Sequence, residues 1–285
     1  MAARILDGKA LARVLQGEVR REAAALRAAG VQPTLAIVDA SGDPAAQQYL
    51  ERKRERARAL GIEARVWGFD PDLTQRGLED LVSGLAADPG VHGIIIEQPF
   101  APRFKRDAVL AALPPAKDVD GSSPASQGLL AFGTPRFVPA TALAAVTLLE
   151  RSDIALAGRD VVVVGCSVVI GRPVALLLLA REATVTICHR ETEDLAHHTR
   201  RADVLVVAAG QAGLIRGDMV RPGATVIDVG TNVVGDRTVG DVAFDEVAAV
   251  AGALSPVPGG VGPLTTALLL QNTCRSAAAQ RDNGG

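Results

Sequence analysis

Val161-Val162-Val163-Val164 runs directly into Gly165-Cys166-Ser167-Val168-Val169-Ile170-Gly171-Arg172-Pro173, and this succession decides the fold. Four β-branched residues in a row read as an interior parallel strand, apolar on both faces. Gly165 then permits a tight turn and close backbone approach. The amide groups that open the following helix can face a pyrophosphate. The spacing G-x-S-x-x-x-G meets the dinucleotide fingerprint G-x-G-x-x-G only in part. An ordinary strand-to-helix turn is the competing reading, and the succession of strand, glycine and helix start ranks a dinucleotide site above it.

Just downstream, residues 183–188 form a second strand that ends in His189-Arg190. Where NAD is preferred, an acidic residue at this strand end holds the ribose 2′-hydroxyl. A guanidinium here suits the 2′-phosphate of NADP instead. Glu191 works against that inference, and Arg190 tips it toward NADP. Further strands at 204–208 and 225–229, with a helix over 141–151 before the glycine turn, complete a Rossmann-like half. A loop, Ser255-Pro256-Val257-Pro258-Gly259-Gly260-Val261-Gly262-Pro263, starts a last helix through Asn272, with Pro263 in its first turn. Residues 280–285 read as a frayed tail.

Toward the start, helices at 8–29, 45–60 and 73–87 alternate with strands at 34–38, 64–67 and 93–96. Strands separated by helices mean a parallel sheet with right-handed crossovers. The expectation is two α/β domains: 1–138, completed by a C-terminal helix 263–285, and 139–262, with a cleft between them. The chain has 285 residues, 30 of them basic and 32 acidic. That balance argues against nucleic acid or an anionic membrane as partner. Cys166, Cys188 and Cys274 lie far apart with no metal-ligand spacing, as reduced thiols of a cytoplasmic protein would. No signal peptide opens the chain, and no apolar run approaches the ~20 residues a membrane span needs.

The first domain carries the candidate chemistry. Tyr49 and Lys53 stand four apart on one helical face, where a ring could stack a flat heterocycle and an ammonium exchange protons with it. Taken alone, the arginine-rich run 51–58 favours a solvated helix face instead. Gly93-Ile94-Ile95-Ile96-Glu97-Gln98-Pro99 delivers polar groups to a strand's carboxyl end, where ligands bind in open α/β sheets. Lys117-Asp118-Val119-Asp120-Gly121 is a charged loop whose plainest reading is turn chemistry.

In register, these motifs resemble the bifunctional methylenetetrahydrofolate dehydrogenase/cyclohydrolase family along nearly the whole chain. Ile5-Leu6-Asp7-Gly8-Lys9, Tyr49-x-x-x-Lys53, Lys117 to Gly121, Gly165 to Pro173, Val226-Ile227-Asp228-Val229-Gly230, Gly240-Asp241-Val242 and Pro256 to Thr265 carry it, and the long proline/glycine loop is the most specific. The resemblance implies NADP⁺-dependent oxidation of 5,10-methylenetetrahydrofolate to the methenyl cation, then hydrolysis to 10-formyltetrahydrofolate. It implies that Tyr49 stacks on the folate, Lys53 is the acid/base of the hydrolytic step and Asp120 anchors the pterin. Gly165, Cys166, Ser167 and Arg190 would hold phosphates and ribose, with Gly171 and Gly210 as further cofactor-binding positions. Thr231 and Pro258, Gly259 and Gly260 would border nicotinamide and folate. It also implies a homodimer joined through the cofactor domains, and no metal.

Departures from the family pattern cluster in the substrate half. The usual strand end V-Q-L-P is Ile96-Glu97-Gln98-Pro99, so Glu97 replaces the glutamine that partners the lysine. Pro99 pins the register and neighbouring strand residues face opposite sides, so Gln98 cannot substitute without a bulge. Ser122-Ser123-Pro124-Ala125-Ser126 replaces Phe-His-Pro-x-Asn, Pro139 to Ala144 replaces P-C-T-P-x-G, and Ala46 replaces a common serine. The cofactor half changes less, with Thr231 for isoleucine and Gln211-Ala212 for Lys-Pro. An opposite charge beside Lys53 favours the ionised pair, whereas proton transfer near neutral pH needs the lysine able to lose its proton. Weakened hydrolysis with surviving hydride transfer is therefore expected, although Glu97 could instead stabilise the methenyl cation or act as the base itself. Two alternatives are an enzyme for a modified one-carbon carrier and a non-catalytic NADP-binding paralogue; retention of Tyr49, Lys53 and Asp120 together speaks against the second.

Overall fold

The structure, a computed structural model, describes residues 3–283, apart from the side chains of residues 44–49 and 283. In chain order the elements are β1 (Arg4–Ile5), α1 (Gly8–Ala28), β2 (Thr34–Asp39), α2 (Pro44–Ala59), β3 (Glu63–Trp67), α3 (Gln75–Ala87), β4 (Gly93–Glu97), α4 (Arg106–Ala111), α5 (Pro124–Ala131) and α6 (Ala140–Glu150). There follow β5 (Asp160–Val164), α7 (Gly171–Leu179), β6 (Thr184–Cys188), α8 (Leu195–Thr199), β7 (Val204–Val207), β8 (Thr225–Asp228), β9 (Asn232–Val234), β10 (Arg237–Val239), α9 (Phe244–Ala248), β11 (Ala253–Leu254) and α10 (Gly262–Asn283). Two compact units result, one of residues 15–140 and 266–285, the other of residues 1–14 and 141–265.

In the first unit three parallel strands pair in the order β3-β2-β4. Both faces are covered, which is why the strands read as unbroken apolar runs. Odd-numbered Leu35, Ile37 and Ile95 pack with Val19 and Ala23 of α1, Leu50 and Ala57 of α2, and Leu269 and Ala277 of α10. Even-numbered Ala36, Val38, Ile94 and Ile96 pack with Leu78, Val82 and Leu85 of α3 and with Val109 and Leu110 of α4. Each buried Val, Leu or Ile among them contributes roughly 1.5–3 kcal/mol of hydrophobic stabilisation.

The last helix departs from expectation. It does not stop at Asn272, and residues 280–283 are not a frayed tail but its final turn. Asn272 is buried and donates to the Val119 carbonyl at 2.9 Å, so a residue that reads as a helix end is a tertiary tie. Gln280 donates to the His92 carbonyl at 2.9 Å and holds the last turns down.

In the second unit six parallel strands run in the order β1-β11-β8-β7-β5-β6. The chain order reverses between β5 and its neighbours β6 and β7, the place where open α/β sheets bind ligands beyond the strands' carboxyl ends. The first 14 residues pack with this unit, because β1 pairs with β11 and Ala3 joins its core. Two-residue strands carry no readable period, so only the pairing reveals them.

Candidate active site

Side chains build the site of the first unit. Lys53 lies three residues after Leu50 and four before Ala57, on the face of α2 turned toward the sheet. Its Nζ forms an ion pair with Oε1 of Glu97, the last residue of β4, and the two side chains are 13% and 11% exposed. The glutamate is therefore Lys53's direct partner, although 44 residues separate them in the chain. Tyr49 lies on the same helix one turn earlier, and its side chain falls outside the described residues.

Asp120 is half-buried and accepts a hydrogen bond from the Ala140 N–H at 3.1 Å. Loss of hydration pushes its carboxyl up to about 6; the Ala140 bond opposes the rise, Asp118 adds to it, and Lys53 and Glu97 act on it with opposite signs. The other charges of its loop are committed elsewhere. Lys117 donates to the Asp88 carbonyl at 2.6 Å, while buried Asp118 accepts from the Ser122 and Ser123 amides at 3.0 and 2.8 Å. Ser123 in turn caps α5 through the Ser126 N–H at 3.2 Å. The departing segment 122–126 thus builds a turn and a helix start.

The second unit builds its site from backbone. Gly165 ends β5 at φ +119°, and a Cβ there would lie 2.1 Å from the Ala208 carbonyl oxygen. A Cβ on Gly171 would lie 2.0 Å from the Gly165 carbonyl oxygen, so neither glycine tolerates a side chain. Ser167 Oγ accepts from the Ile170 N–H at 3.1 Å and stands at the opening of α7. A cavity of about 560 Å³ is bounded by Gly165, Cys166, Ser167, Arg190, Thr192 and Ala209, among others. Arg190 is exposed, with Glu191 at 3.0 Å. A side-chain-free turn at a helix start, with a guanidinium across the cavity, fits the diphosphate and 2′-phosphate of NADP.

Gly171 sits beneath Gly165 and does not border the cavity, and neither Gly210 nor exposed Thr231 does. The loop carrying Pro258, Gly259 and Gly260 is tied to the start of α1. Lys9 N–H donates to the Gly259 carbonyl at 3.1 Å, and a Cβ on Gly8 would lie 1.7 Å from the Gly260 oxygen.

Two buried acids missed as functional residues set the cavity wall. Asp241 accepts from the Ala209 and Gly210 amides at 2.6 and 2.8 Å and from Asn232 Nδ2 at 2.8 Å. Asp228 accepts from the amides of Gly230, Asp241 and Val242, each at 3.0 Å, and its own N–H donates to Ser255 Oγ. Burial pushes the Asp228 carboxyl up to about 6 against those bonds. An acid closing an apolar strand, as Asp228 does, is the signal that could have marked that residue. Among the described residues, no group of three or more His, Cys, Asp or Glu could hold a metal ion, and no helix is long and apolar enough to cross a membrane.

These two sites, one in each unit, define a two-unit α/β protein of the NAD(P)-binding class. Residues 6–120 match the tetrahydrofolate dehydrogenase/cyclohydrolase catalytic domain, and residues 139–281 match the NAD(P)-binding domain of the same family. The bifunctional protein FolD of a Roseiflexus species is 47% identical over 282 residues, 98% of each chain. The crystal structure of the bifunctional FolD enzyme of Campylobacter jejuni superposes with a TM-score of 0.95 at 40% identity, over 98% of this chain and 99% of that one. The Trypanosoma brucei FolD, complexed with NADP and an inhibitor, gives a TM-score of 0.92 at 38% identity over 98% of each chain. The chain belongs to the tetrahydrofolate dehydrogenase/cyclohydrolase family.

Proposed function

We propose that this enzyme oxidises 5,10-methylenetetrahydrofolate to 5,10-methenyltetrahydrofolate with NADP⁺, and that it hydrolyses the methenyl cation to 10-formyltetrahydrofolate slowly. The observation that carries this reading is the Lys53–Glu97 ion pair. When bound, NADP⁺ supplies the hydride acceptor. Gly165, Cys166, Ser167 and Arg190 hold its phosphates and ribose, with Gly171 and Gly210 shaping the turns around them. Thr231 and the loop of Pro258, Gly259 and Gly260 border the reacting rings.

In the substrate half, Tyr49 stacks on the folate and the Asp120 carboxylate accepts hydrogen bonds from the pterin. Oxidation needs chiefly positioning of donor and acceptor, and a carboxylate beside Lys53 does not oppose it. Hydrolysis needs Lys53 to take a proton from the attacking water and return one as the ring opens. Glu97 holds Lys53 in an ion pair that must be given up before the lysine can exchange a proton with water, so the water step slows. Residues 1–138 with 263–285 serve as the catalytic domain and 139–262 as the cofactor domain.

The enzyme acts in the cytoplasm as a homodimer joined through the cofactor domains. In support, β6 is an edge strand whose Ile187 is exposed, and Leu179 at the end of α7 is exposed as well. Purified protein given 5,10-methylenetetrahydrofolate tests the reading, with NADP⁺ and NAD⁺ in parallel. Methenyl absorbance should grow faster with NADP⁺ and persist. No methenyl product with either cofactor would refute it.

A further inference from the structure

Asp39 closes β2 in register with Glu97 at the end of β4. Strands pair about 4.8 Å apart, and directly paired residues of a parallel ladder point to the same side of the sheet. Parity fixes which side. Leu35, Ile37 and Ile95 face α2, and Ala36, Val38, Ile94 and Ile96 face α3. Asp39 and Glu97 continue the odd-numbered series, so both project into the layer where Lys53 meets Glu97.

Asp39 is only 2% exposed. Its Oδ1 accepts from the N–H and hydroxyl of Ser41 at 2.8 and 2.7 Å. Its Oδ2 is buried and, among the described residues, has no hydrogen-bond partner. A buried carboxylate oxygen without a donor is costly, and a nearby cation offsets that cost. Asp120, on which both Lys53 and Glu97 act, adds a third acid to the neighbourhood.

We propose that Asp39 is a positioning residue for Lys53, a second carboxylate on the same face of the sheet that, with Glu97, holds the lysine side chain by charge attraction. It acts through Lys53 and not on substrate, and it rests on the reading above that Lys53 is the acid/base group of the hydrolytic step. Removing Glu97 alone leaves Asp39 in place, so full release of Lys53 requires loss of both charges.

The chain has four lysines, Lys9, Lys53, Lys105 and Lys117, which makes the test direct. Trace acetic anhydride at pH 8 labels only neutral amines, and peptide mass spectrometry reads Lys53 against Lys105. D39N keeps an acceptor for Ser41, and D39S replaces it should D39N fail to fold. Losing one facing charge is expected to raise Lys53 labelling about tenfold, and D39N/E97Q should exceed E97Q. The ratio of methenyl hydrolysis to oxidation should rise in the same order. Unchanged Lys53 labelling in the folded variants overturns the proposal, whatever the activity. Absence of any wild-type oxidation would instead refute the proposed function, with labelling still deciding the role of Asp39.

Discussion

The cradle around Gly165 and the site around Lys53 are built in opposite ways. The cradle is backbone: two glycines that admit no Cβ, amides at the start of α7, and a wall held by Asp241 and Asp228. A side chain at either glycine collides with main chain. The site on α2 and β4 is a few side chains on a rigid frame. There one exchange, a carboxylate for an amide at position 97, leaves the fold intact and changes the charge balance of the reaction. A backbone site is constrained by sterics, whereas a side-chain site can be retuned by a single residue.

The largest expected effect breaks the cradle. Gly165→Ala places a Cβ against the Ala208 carbonyl at a φ of +119°; NADP⁺ affinity, read by calorimetry, should fall by about 100-fold or more. Glu97→Gln sharpens the other side of the comparison. General acid–base catalysis contributes about 10²–10⁴-fold, so releasing Lys53 from one of its carboxylates should raise the ratio of hydrolysis to oxidation by about tenfold.

A third test uses pH. With its carboxyl near 6, Asp120 is an anion above that value and neutral below it. The neutral form is a poorer acceptor for pterin N–H groups. The KM for the folate substrate should therefore climb as pH falls through 6, by up to about tenfold per unit. Asp120→Asn should bind more weakly at pH 8 and show a flat profile; a wild-type KM constant from pH 5 to 8 would contradict the assignment. The smallest effect is that of Arg190→Ala. Its exposed guanidinium should add about tenfold to NADP⁺ affinity through a charge-assisted hydrogen bond and nothing to NAD⁺, so loss for both cofactors alike would place the 2′-phosphate elsewhere.

Much of this was legible in the sequence for physical reasons. Runs such as Val161–Val164 and Ile94–Ile96 are covered on both faces, so their composition announces interior strands. The contact of Lys53 with position 97 was implied by the family resemblance, and strand alternation with Pro99 showed that Glu97, not Gln98, occupies that place. Short elements held by pairing alone, β1 and β11, leave no period to read. The start of α5 carried a serine cap and a proline in its first turn, but its departures from the family pattern drew attention to the pocket instead. Asp39 was hidden because only the pairing of β2 with β4 shows that it shares a face with Glu97.

The most direct test of the central claim is a time course of methenyl absorbance after mixing wild-type enzyme, 5,10-methylenetetrahydrofolate and NADP⁺. The ion pair predicts that the methenyl species accumulates as NADPH forms, and that Glu97→Gln shortens its lifetime. Wild-type conversion to 10-formyltetrahydrofolate in step with NADPH, with no methenyl build-up, would show that Glu97 does not restrain Lys53.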